Sequence, residues 1–162
     1  MKTIGIPQPS NNKRRTVLLI GDTLGILKRV SFALQHRGHS VIWAESGRRG
    51  LSIAEREAPD LIISEIGLPD FSGFEICRKI KASFVFETPV VLVGKSGDEE
   101  SDSSRAFEVG ADDYFVSFTD GQLVLAKLEW LAQRRFTLSH HAEKAETLPQ
   151  PKHATSYLRL VR

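Results

Sequence analysis

The chain holds one cysteine and one methionine, and its charges nearly cancel: 22 basic against 20 acidic residues leave +2 over 162 residues. With Cys77 as the only thiol, no internal disulfide forms, and a reducing cytoplasm is the expected compartment. So small a charge does not build a nucleic-acid surface. The basic runs Lys13-Arg14-Arg15 and Arg134-Arg135 flank the apparent folded part and read as solvated ends. No apolar run approaches the roughly 20 residues of a membrane-spanning helix, and the polar start lacks the apolar stretch of a secretory signal. Neither membrane nor nucleic acid is an expected partner.

Other chemistries are also missing. His36, His39, His140, His141 and His153 have no cysteine or acidic partners at metal-ligand spacing. Gly21-Asp22-Thr23-Leu24-Gly25 lacks the spacing and the lysine of a phosphate-binding P-loop. Ser139-His140 stands in a polar stretch without the rigid scaffold a catalytic triad needs. An independent small enzyme is therefore the most distant reading.

What is present is an alternation. Thr16-Val17-Leu18-Leu19-Ile20 is an apolar run suited to a strand covered on both faces, and Ile26, Val30, Ala33 and Leu34 follow at helical spacing before Gly38. The same pattern recurs four more times. Strands are expected at Ser40–Ala44, Asp60–Ile66, Pro89–Val93 and Asp113–Val116. The helices between them carry Leu51, Ala54 and Ala58, then Ile76, Cys77 and Ile80, then Ala106, Phe107 and Val109. Ser46 and Asp120 are candidate caps, the latter for a last helix with Val124, Leu128 and Leu131 on one stripe. Five β-α units in series predict an α/β domain with a parallel sheet and right-handed crossovers. The expected domain spans 15–135, between a disordered leader at 1–14 and a flexible tail at 136–162.

The landmarks Leu19-Ile20-Gly21-Asp22, Pro59-Asp60-Leu61-Ile62-Ile63, Leu68-Pro69 with Gly73, Pro89-Val90-Val91 and Gly110-Ala111-Asp112-Asp113-Tyr114 occur in order. Together they resemble the receiver domain of bacterial response regulators, including the chemotaxis regulators. The resemblance implies a flavodoxin-like sheet of five parallel strands in the order 2-1-3-4-5, with helices on both faces. It also implies a site at the carboxyl ends of the strands, where open α/β sheets place their sites. In that family two acids after the first strand and a phospho-accepting aspartate after the third gather Mg²⁺, while a hydroxyl and a lysine after the fourth and fifth bind phosphoryl oxygens.

This chain keeps one of those groups. Asp22 is retained, but Gly21 replaces the first acid, Glu65 the acceptor, Gly94 the hydroxyl residue and Ser117 the lysine. Glu65 carries its carboxylate about 1.5 Å farther out than an aspartate, and a misplacement of about 1 Å costs on the order of a hundredfold in rate. Gly94 offers no donor and Ser117 no positive charge, so two charge-stabilising contacts are lost together. Asp22, Glu65 and the carbonyl of Gly67 remain as oxygen donors for a weakly held Mg²⁺ if any is held, and no other cofactor is expected. Lys95, beside Gly94, is the candidate replacement cation.

The resemblance thus implies a degenerate receiver without an output domain, since the segment past Arg135 is too short for a helix-turn-helix with a core. Its expected action is contact with signalling proteins, a histidine kinase or a downstream effector, independent of phosphorylation. The alternative is inefficient phosphorylation on Glu65. Tyr114, Phe118, Gln122 and Trp130 are the expected contact residues on the face of the fourth helix, fifth strand and fifth helix, which also serves receivers as a homodimer surface. Tyr114, with Gly94 beside it, has room to turn inward whatever happens at Glu65.

Overall fold

In the computed structural model, residues 14–83, 88–94 and 99–116 are described, together with Ala126, Trp130 and Leu131. The chain alternates β1 (Thr16–Ile20), α1 (Ile26–His36), β2 (Ser40–Ala44), α2 (Gly47–Glu57), β3 (Leu61–Glu65), α3 (Gly73–Ala82), β4 (Val90–Gly94), α4 (Glu99–Glu108) and β5 (Asp113–Val116). The five strands form one sheet in the order β2-β1-β3-β4-β5, all neighbours parallel, as the sequence implies. The segments 1–13 and 136–162, and with them Lys95, Ser117, Phe118, Asp120, Gln122, Val124 and Leu128, lie outside the described residues.

Alternation along the strands divides the core in two. Val17, Leu19, Leu61, Ile63, Val91 and Val93 face a layer built by Leu27, Val30 and Leu34 of α1 with Leu131. Leu18, Ile20, Ile62, Val90 and Leu92 face the opposite layer, where Ile53, Phe74, Ile76, Cys77, Ile80 and Ala106 supply the helical side. Both faces of the inner strands are dry, which is why those strands read as unbroken apolar runs. Each buried Leu or Ile contributes on the order of 2 kcal/mol of hydrophobic stabilisation.

Most element boundaries follow local chemistry. Ser46 accepts the Arg49 amide at 3.3 Å and starts α2. Ser72 and Glu75 form a reciprocal capping box at the start of α3. α2 closes at Ala58, whose φ of 42° lies in the left-handed region usually left to glycine. Several expectations shift: β3 ends at Glu65 and not Ile66, β4 runs Val90–Gly94 and not Pro89–Val93, and Ala58 and Val109 fall just past the ends of α2 and α4. The third strand begins at Leu61 because the Asp60 carboxylate turns to accept the Thr16 amide at 2.8 Å, which ties the starts of β1 and β3 together. Of the three apolar residues expected on α4, Ala106 is buried and Val109 packs against the same core, but Phe107 is 55% exposed.

The Gly110-Ala111-Asp112-Asp113-Tyr114 motif is structural at its first three positions. Gly110 takes φ 89° to leave α4, and Ala111 is buried. The Asp112 carboxylate accepts the Val90 amide at 2.8 Å and the Lys81 ammonium at 2.6 Å, fastening the start of β4. These clamps sit at the amino ends of the strands. The opposite ends are left for a site.

Candidate functional site

At the carboxyl ends of β1, β2 and β3 lies a cleft of about 300 Å³, lined by Gly21, Asp22, Thr23, Glu45, Glu65, Gly67, Leu68 and Pro69. The structure therefore brings Gly21, Asp22, Glu65 and Gly67 together. Glu45 joins them, and the sequence reading missed it. The β1–β2 register pairs Ile20 with Ala44, so the residue after β2 falls level with Gly21, a relation no local pattern in the sequence marks.

Glu65 does not reach across the cleft. Its side chain folds over Gly21: a Cβ built on Gly21 would lie 2.7 Å from Glu65 Cδ and Oε2 and 2.8 Å from Cγ. Gly21 has φ 148°, a conformation that L residues rarely adopt, and its amide donates to the Ala44 carbonyl at 2.9 Å. The missing side chain at 21 thus leaves the volume that the extra methylene of Glu65 takes up. Glu65 Oε2 accepts the Asp22 amide at 3.2 Å, and Asp22 Oδ1 accepts the Leu24 amide at 2.8 Å.

The Asp22 and Glu65 carboxylates are therefore each engaged with a backbone N–H. Among the described residues, no group of three or more His, Cys, Asp or Glu side chains is arranged to hold a metal ion. Asp22, Glu65 and Gly67 nonetheless line the same cleft.

A second exchange of volume occurs at β4. Tyr114, paired with Leu92 in register, lays its ring over Gly94: a Cβ there would overlap Tyr114 Oη and lie 2.9 Å from Cζ and 3.1 Å from Cε2. The ring packs against the α2–α3–α4 layer and its hydroxyl is buried. Tyr114 is thus turned inward, in the space that a side chain at position 94 would need. Trp130, by contrast, is 53% exposed.

The loop after β3 is fixed by a residue that sequence reasoning passed over. Asp70 accepts the amides of Gly47 at 2.7 Å, Arg48 at 2.9 Å and Phe71 at 2.8 Å. The carboxylate sits on the first turn of α2, where the helix dipole favours negative charge. The Arg48 amide, followed by those of Gly47 and Phe71, holds its pKa below the ordinary carboxylate range despite some opposing desolvation. Asp70 thereby anchors the wall formed by Gly67, Leu68 and Pro69. Cys77 is a core residue: burial pushes its thiol up to about 11, and Sγ lies 3.7 Å from the Val109 carbonyl.

The sheet order, with a cleft at the carboxyl ends of the strands, is that of a flavodoxin-like α/β domain. A family model of the response regulator receiver domain matches residues 17–128, and the chain belongs to that family. It is 36% identical over 122 residues to the transcriptional regulatory protein CreB of Escherichia coli, covering 75% of this chain and 52% of that protein. Against the transcriptional regulatory protein AfsQ1 of Streptomyces coelicolor it is 34% identical over 119 residues, 74% of this chain and 52% of the relative. The chain thus spans about half the length of these relatives. Among solved structures, the chemotaxis response regulator CheY4 of Vibrio cholerae superposes with a TM-score of 0.66 at 26% identity, covering 74% of this chain and 99% of that one.

Proposed function

We propose that this receiver signals by binding other proteins and does not take up a phosphoryl group on Glu65. The observation that carries this reading is the seat of the Glu65 carboxylate on Gly21, folded back onto the site's own backbone. Electrostatics supports it. The cleft is lined by Asp22, Glu45 and Glu65 and by no basic residue among those described. At an effective dielectric of about 20, an incoming anion 4 Å from one carboxylate meets a repulsion of about 4 kcal/mol. The catalytic groups that offset such repulsion elsewhere work by position and charge, and Gly94 supplies neither.

The inward Tyr114 ring supports the same reading, because its seat depends on Gly94 and on no event at Glu65. A ligand shifts a conformational equilibrium only through differential contact with two states, and the described part of this site offers a phosphoryl group little to hold. The partners are signalling proteins, a histidine kinase or a downstream effector. The surface of α4, β5 and the last helix is their proposed seat, with Trp130, Phe118 and Gln122 as contacts beside Tyr114, and it is also the proposed homodimer face. Trp130 has the exposure such an anchor needs.

Intact-mass measurement after incubation with Mg²⁺ and acetyl phosphate tests this directly. No adduct is expected. A stoichiometric, base-labile adduct of one phosphoryl group that maps to Glu65 would establish instead an atypical phosphorylated receiver.

A further inference from the structure

The sheet ends on one side at β2, and among the described residues nothing pairs with the outer edge of that strand. Its register with β1 shows which backbone groups face outward. The Ser40 amide donates to the Arg15 carbonyl at 2.8 Å, and the Ala44 carbonyl accepts the Gly21 amide at 2.9 Å. In a parallel ladder alternate residues bond the same neighbour, so Ser40, Ile42 and Ala44 face β1, and the N–H and C=O groups of Val41 and Trp43 point away from the sheet. Val41, Ile42 and Trp43 are half-buried, whereas Val17, Leu18 and Leu19 beside them on β1 are buried.

An open edge strand ordinarily carries a device against pairing with other chains: a charge, a proline or a bulge. Ser40-Val41-Ile42-Trp43-Ala44 has no charged residue and no proline, and it matches β1 residue for residue without a bulge. Trp and the β-branched Val and Ile are strong strand formers. The charges lie just beyond the two ends, and they differ in sign. At the start, the exposed Arg14 donates from Nε to Ser40 Oγ at 3.1 Å; at the finish stands the exposed Glu45.

We propose that this edge pairs with the same edge of a second copy of the chain, antiparallel about a two-fold axis at Ile42, so that one sheet runs through both copies. The two-fold sets Val41 of each copy opposite Trp43 of the other, and because both residues present their N–H and C=O outward, each such pair exchanges both of its hydrogen bonds. Ile42 meets Ile42 of the second copy at the centre. Aromatic with β-branched, and β-branched with itself, are pairs that stabilise cross-strand contacts. Glu45 of each copy comes level with His39 of the other, one residue from the Ser40 that holds the Arg14 guanidinium, so unlike charges meet at both ends. A parallel alignment would set Arg14 beside Arg14 and Glu45 beside Glu45. Because β2 and β5 are opposite edges of the sheet, the face of α4 and β5 stays open to signalling partners, and the inference does not depend on how that face is used.

Amide exchange of the isotope-labelled full chain, followed by NMR from about 10 μM to about 1 mM, tests this together with sedimentation over the same range. The Val41 and Trp43 amides should gain about tenfold in protection as monomer gives way to dimer, while the Ile42 amide, already bonded to β1, changes little. Val41→Pro removes an outward N–H and no bond to β1, and should abolish both effects with circular dichroism unchanged. Ile42→Cys should form a disulfide between copies on mild oxidation, since a non-hydrogen-bonded antiparallel pair sets its Cα atoms about 4.5 Å apart. Arg78→Cys, exposed on α3, should not. The cysteine pair decides the matter if Val41→Pro does not fold. A monomer at every concentration, or a dimer that survives Val41→Pro and is lost on Trp130→Ala, would overturn the proposal. So would protection of Val41 and Trp43 that is independent of concentration, which would place another segment of the same chain on this edge.

Discussion

The Glu65 carboxylate lies over Gly21 so closely that a Cβ at position 21 would sit 2.7 Å from Glu65 Cδ. The two residues are complementary in volume, and the change at one accommodates the change at the other. Gly21→Ala is expected to destabilise by about 1–2 kcal/mol, partly through its φ and partly through the overlap. In a Glu65→Asp background the φ cost remains and the overlap shrinks, so urea denaturation of the four proteins should give a coupling of about 1 kcal/mol. Additive effects would separate the two positions.

Gly94 and Tyr114 make the second such pair. Gly94→Thr forces the ring out of its seat, with an expected cost of about 1–3 kcal/mol from overpacking. Tyr114→Leu empties that seat and should recover most of the loss. The readout specific to the ring is chemical: nitration of Tyr114, slow in the native protein because the hydroxyl is buried, should become fast in Gly94→Thr.

Activity should not return through Glu65→Asp alone. By the resemblance to receivers, such a protein would still have Gly21 where an acid is expected, Gly94 where a hydroxyl residue is expected and Ser117 where a lysine is expected. Gly21→Asp, Glu65→Asp, Gly94→Thr and Ser117→Lys combined are expected to restore phosphoryl uptake from acetyl phosphate, read as an adduct by intact mass. Glu65→Asp with Gly94→Thr and Ser117→Lys is expected to label more slowly, for want of the second acid beside Asp22.

Much of this was legible in the chain itself. The apolar runs at Thr16–Ile20 and Leu61–Ile63 announce strands buried on both faces, and the periodicity around Val30 and Leu34 gives the helix that covers one of them. The substitution of Glu65 for an aspartate is visible as a letter. Its direction is not: that the side chain turns back onto Gly21 depends on a gap between two strands that only the register creates. Asp70 was hidden for a similar reason. It grips the Gly47 and Arg48 amides of another β-α unit, and no local pattern marks a carboxylate that serves a helix start so far along the chain. Phe107 misled in the opposite sense, because an apolar residue in a short helix carries no sign of which way it points.

Asp112 and Lys81 separate a structural hydrogen bond from a surface ion pair. Asp112→Ala leaves the Val90 amide without its side-chain acceptor and should cost about 1–3 kcal/mol. Lys81→Met removes an ion pair whose partners are 25% and 33% exposed, and should cost less, about 1 kcal/mol or under. Equal losses in chemical denaturation would mean that the charge, and not the amide bond, fastens β4.

Asp70 gives the pH dependence its sign. Its folded-state pKa is lowered, chiefly by the Arg48 amide, so its contribution is present above the ordinary carboxylate pKa and is lost as pH falls through the depressed folded value. Asp70→Asn retains one acceptor oxygen and gives up the charge that the start of α2 favours. Its thermal midpoint should therefore lie below that of the native protein at pH 7, and the two should converge as the solution is acidified. A difference that stays constant into the acid range would assign the role of Asp70 to hydrogen-bond geometry alone. In that case the wall of Gly67, Leu68 and Pro69 would be held by shape, and the cleft would keep its form at any pH the fold survives.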